Sequence, residues 1–80
     1  MDTYIKGNYK RTIFSSGQGY VVGLFKVKET NDSEMEEYVN KTVTFTGYFA
    51  ELNEDDMYIF YGKTNMHPRY GIQVDVSNYE

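Results

Sequence analysis

Eighty residues without a cysteine leave room for one small core and no way to staple it, which excludes two domains, a disulfide scaffold and a thiolate metal site. The formal net charge of −4 argues against a surface that holds nucleic acid by bulk positive charge, and no apolar run approaches the length of a membrane span. Hydrophobic residues at 40% and aromatics at 18% suffice for a core of flat rings on a pleated sheet, although a domain this small is expected to be part of a longer chain or to lean on a partner.

The first predicted strand covers residues 4–14, with Ile5, Tyr9 and Ile13 in phase and Gly7 permitting a bend or bulge. Ser15-Ser16-Gly17-Gln18-Gly19 is a turn by composition. Residues 20–29 form the second strand. Val21, Gly23, Phe25 and Val27 occupy one face, while Tyr20, Val22, Leu24, Lys26 and Lys28 occupy the other. Residues 30–40 are acidic, and Ser33 with Glu36 has capping-box spacing. That segment reads equally as one or two helical turns or as an ordered loop, with Met35, Tyr38 and Val39 sharing a side.

The third strand, residues 42–49, sets Val43, Phe45, Gly47 and Phe49 against Thr42, Thr44, Thr46 and Tyr48, the threonines on the solvated side. Residues 51–56 are a polar connector. The fourth strand covers 57–63 and the fifth 72–79, where Ile72, Val74 and Val76 alternate with Gln73, Asp75 and Ser77. Between them lies a loop centred on His67-Pro68-Arg69-Tyr70-Gly71, in which proline fixes φ and glycine turns without a Cβ clash. Five short strands of this kind predict an all-β domain: a five-stranded, mostly antiparallel OB-like barrel over residues 1–80, with at most one short helix between strands two and three. An SH3-like barrel is the competing architecture.

Several patterns that suggest chemistry lack the context it needs. Gly62-Lys63-Thr64 resembles the end of a P-loop, but the required glycine five positions earlier is Met57 and the intervening residues read as strand. His67 has no second nitrogen or thiolate ligand nearby and no nucleophile to serve, so it reads as the anchor of a turn. Glu54-Asp55-Asp56 lacks calcium-loop spacing and reads as a solvated turn. Nine of the twelve acidic residues lie in 29–37 and 51–56, and the first of these segments could dock on a basic neighbouring domain. No catalytic, cofactor-binding or metal-binding residue is therefore expected. With no secretory signal at the start, a cytoplasmic location is expected, and the sequons at Asn31 and Asn40 carry no weight.

What remains is an aromatic-plus-basic face. Tyr20, Lys26 and Lys28 on strand two, Tyr48 on strand three, and Arg69 with Tyr70 in the last loop are the candidates for stacking on bases and pairing with phosphates of single-stranded DNA. The alternative is a structural or protein-interaction barrel whose fourteen aromatics mostly fill its core.

Three local patterns, Gly19-Tyr20-Val21-Val22, Phe45-Thr46-Gly47-Tyr48-Phe49 and His67-Pro68-Arg69-Tyr70-Gly71-Ile72-Gln73-Val74, occur in that order. With them the chain resembles, from about residue 4 to 79, the N-terminal OB-like domain of RecD-like ATP-dependent DNA helicases. These are the long type found without RecBC partners and often labelled exodeoxyribonuclease V alpha subunit. The resemblance implies a non-catalytic accessory domain of a 5′-to-3′ helicase in DNA repair or recombination. ATP and magnesium would be held by motor domains of the same parent chain, which would be its main partner and of which these residues would be a fragment. The chain departs from the usual OB pattern in one respect. Its insert lies between strands two and three, and residues 50–56 are too few for a long helix between strands three and four.

Overall fold

Alternation along residues 20–30 puts Gly23, Phe25 and Val27 on one side of a strand, and all three are buried. The same pattern builds the rest of the computed structural model, which describes residues 3–69 and 71–80. Its strands are β1 (Thr3–Ser15), β2 (Tyr20–Thr30), β3 (Thr42–Tyr48), β4 (Met57–His67) and β5 (Gly71–Tyr79), with a single 3-10 turn at Glu36–Tyr38. They close into a barrel in the order β1-β2-β3-β5-β4 and back to β1. All neighbours are antiparallel except β3 and β5, which run parallel through Thr44↔Gln73, Phe45↔Val74 and Thr46↔Asp75. Closure leaves no free edge along the ring. The expected all-β, OB-like barrel is the fold observed.

The core is a stack of rings. Phe25, Phe45 and Phe60 are fully buried, with Phe25 and Phe60 centroids 4.3 Å apart and Phe45 and Phe60 4.9 Å apart. Ile5, Val27, Val43 and Val74 complete the wall around them. Val74 is fully buried while Ile72 and Val76 pack against the core from partly buried positions, as the alternation of β5 requires. The insert between β2 and β3 contributes Met35, which has no exposed surface, and its Tyr38 and Val39 pack against the core from partly buried positions. Residues 50–56 are fastened from both sides: Tyr79 Oη accepts from the Ala50 amide at 3.1 Å, and Tyr58 Oη accepts from the Asn53 amide at 2.8 Å.

Four local expectations are corrected. Ile13 does not share the inward phase of Ile5 and Tyr9 but is 55% exposed. Pairing with β2 shifts between Tyr9 and Arg11 and again between Thr12 and Phe14, and each extra residue rotates the strand relative to its neighbour. β4 continues past residue 63 to His67, because its pairing with β5 persists out to His67↔Gly71. Ser33 does not cap a helix: the short 3-10 turn has no side-chain cap, and Asp32 Oδ1 accepts from the Glu34 amide instead. Thr46, expected on the solvated side, is buried and donates through Oγ1 to Asp75 Oδ1 at 2.9 Å.

Candidate nucleic-acid interface

The β2–β3 ladder runs from Tyr20↔Tyr48 to Lys26↔Thr42 without a register shift, so the outward residues of both strands form one continuous surface. At its end the Tyr20 and Tyr48 rings meet edge to face, with centroids 5.2 Å apart at 64°. Tyr48 is 71% exposed, too much to count as core, and its ring is available to a ligand.

A cleft lies on either side of this pair. The larger, of about 390 Å³, runs between Ile13 and Phe14 of β1 and His67 at the end of β4, over Val22, Thr44 and Gln73. The smaller, of about 340 Å³, lies between Tyr48 and Lys63 over Gly47, Asp75 and Val76. Tyr20 and Thr46 line both. The bulges that turn Ile13 out of the core place it, with the half-exposed Phe14, on the rim of the larger cleft. The tip of the β4–β5 hairpin is held by the Arg69 amide donating to His67 Nδ1 at 3.1 Å, so His67 does anchor a turn.

The six residues singled out by sequence do not form one group. Tyr20 and Tyr48 touch. Lys26 stands opposite Thr42 and Asn8, six residues along β2 from Tyr20 and therefore about 20 Å away. Lys28 is exposed near the end of β2, where pairing with β1 skips it, and neither lysine lines either cleft. Arg69 is exposed in the turn beyond His67. Tyr70 lies outside the described residues. The charges that do line the clefts are Lys63 and Asp75, which sequence reading passed over. Their outward positions follow from the alternation of β4 and β5, but the meeting of β3 with β5 depends on closure.

The other candidate motifs are accounted for by packing. Gly62-Lys63-Thr64 lies extended inside β4, and a Cβ on Gly62 would overlap the Asp75 carbonyl oxygen. Asp55 ties its turn to β1: its carboxylate pairs with Lys10 at 2.9 Å and its amide donates to the Tyr9 carbonyl. Away from the clefts, Tyr4 and Tyr61 donate their hydroxyls to Glu29 and Glu80 at 2.8 and 2.6 Å. Those hydrogen bonds, with some desolvation and carboxylate charge, raise both phenols above the usual tyrosine value.

The arrangement offers stacking surface, hydroxyl and amide groups and one carboxylate, but little fixed positive charge. Residues 2–80 match the family described as the OB-fold domain of the ATP-dependent DNA helicase YrrC. No solved structure matches the chain.

Proposed function

From the fact that the chain belongs to this OB-fold domain family of an ATP-dependent DNA helicase, we propose that it is a non-catalytic accessory domain whose Tyr20–Tyr48 face takes single-stranded DNA. The parent is a RecD-like helicase of the long, exodeoxyribonuclease V alpha type, moving 5′ to 3′ in cytoplasmic DNA repair or recombination. These residues then stand N-terminal to motor domains that bind ATP and magnesium. The observation that carries the reading is the exposed Tyr48 ring packed on the half-buried Tyr20 ring beside two clefts, on the strand-two and strand-three surface that OB folds use for oligonucleotides. Each stacked base is worth about 1–3 kcal/mol, so two tyrosines support weak binding without a basic groove.

Fluorescence anisotropy with a short mixed-sequence single strand at low salt tests this. Tyr48→Ala is expected to weaken binding by about tenfold or more, by loss of one stacking platform. The salt slope is expected to be shallow, about −0.7 for each phosphate engaged, because Lys63 is the one lysine or arginine among the described residues that line the clefts. A Tyr48→Ala variant that binds like the parent would remove the face from consideration. A second reading, a protein-docking barrel, draws on the exposed Ile13, Phe14 and Met66. It is favoured if no oligonucleotide binds.

A further inference from the structure

We propose that Asp75 makes the smaller cleft a reader of amino-bearing bases, so that this face prefers cytosine to thymine. The inference rests on the single-stranded DNA reading above and adds its specificity.

The Asp75 carboxylate is fixed rather than mobile. Its Oδ1 accepts from Thr46 Oγ1 at 2.9 Å and from Gln73 Nε2 at 3.0 Å, and Thr46 is itself buried in the barrel wall. Among the described residues its Oδ2 accepts from the Asn65 side-chain amide alone, at a long 3.5 Å, which leaves lone pairs for a ligand. Thr46 is two residues from Tyr48 on the same face of β3, about 7 Å along the strand. A base stacked on the Tyr48 ring therefore has its edge within reach of the carboxylate, while Lys63, in the same cleft, can meet a phosphate of the strand.

A carboxylate only accepts. It repels phosphate and the carbonyl edges of a base, and it takes a hydrogen bond from an exocyclic amino group. At ring position 4 cytosine offers N4–H₂ where thymine offers the O4 carbonyl, so a carboxylate that meets this corner of the base separates two pyrimidines alike in size and stacking, whereas one that met N3 would favour the thymine N3–H and reverse the preference. A cleft built to hold phosphate would carry the opposite charge at this position. The larger cleft has no Asp, Glu, Lys or Arg among its described lining residues and supplies apolar surface, Tyr20, two threonines, Gln73 and His67.

The test is competition anisotropy at low salt and mildly alkaline pH, with single-stranded oligo-dC, oligo-dT and oligo-dC methylated twice at N4. The native chain is expected to bind oligo-dC about tenfold more tightly than oligo-dT, and dimethylation, which removes both N4 donors, is expected to abolish the difference. Asp75→Asn keeps an oxygen for Thr46 and Gln73 but replaces the free acceptor with a donor, so the preference is expected to vanish or invert. Equal binding of oligo-dC and oligo-dT, or a preference for oligo-dC that survives dimethylation, would overturn the inference while leaving the DNA-binding reading intact. No binding of any of the three would overturn both. The dimethylated strand keeps the test decisive even where Asp75→Asn fails to fold.

Discussion

Tyr48 contributes little to folding and much to the surface. A ring 71% exposed and packed on the Tyr20 ring loses little buried area on truncation, so Tyr48→Ala is expected to change stability by no more than about 0.5 kcal/mol. A thermal melt beside the binding titration checks that the loss of affinity is not a loss of fold. Tyr4 and Tyr61 behave differently because each hydroxyl donates to a carboxylate, and ionisation would remove the donated proton and set a phenolate against that carboxylate. Their folded pKa values lie above the ordinary 10.0, so whatever these bonds add is fully present below that pH and is lost as pH rises through the raised values. A phenolate absorbance titration is expected to show a late-ionising fraction, to which Tyr38 also contributes, that Tyr4→Phe and Tyr61→Phe reduce. A single normal midpoint for all nine tyrosines would contradict it.

Strand geometry accounts for the features that composition alone would misassign. Gly62 permits the close approach of β5 at the register shift between Tyr61 and Gly62, where a Cβ would run into the Asp75 carbonyl. Gly7 does the same for β1 against the Lys26 carbonyl, at the shift between Lys6 and Gly7. Backbone cannot yield as a side chain does, so Gly62→Ala is expected to cost about 2–4 kcal/mol in urea unfolding, although alanine has the better intrinsic propensity for regular structure. A cost under about 0.5 kcal/mol would mean that the β4–β5 pairing is looser than its register indicates. The same bulged geometry explains Ile13. Period-2 alternation reaches from Ile5 to Tyr9 and then fails, because two extra residues in β1 change which way its side chains face. Nothing in the local sequence of residues 10–14 marks those extra residues.

Across the whole molecule, stability rests on a few rings. Phe45 touches Phe25, Phe49, Phe60 and Tyr9, and has no exposed surface. Phe45→Ala is expected to cost about 3–5 kcal/mol, most or all of the stability of a domain this small, so that circular dichroism shows an unfolded or strongly destabilised chain. A cooperative fold with native stability would mean that the ring stack is not the centre of the barrel. The acidic balance acts at the same scale: a net charge of −4 sets the expectation of a weak, stacking-driven grip on DNA rather than an electrostatic one. By itself the sequence determined the five strands, the inward sets Phe25–Val27 and Val43–Phe45, and the two tyrosines that meet at the surface, because side-chain alternation is written residue by residue. Only the tertiary structure decided that Lys26 and Lys28 stand apart from those tyrosines, that Ile13 and Phe14 rim a cleft, and that Asp75 is fixed by Thr46. Those outcomes depend on the bulges of β1 against β2 and on the parallel meeting of β3 with β5, the latter between segments about thirty residues apart, and no local pattern encodes either.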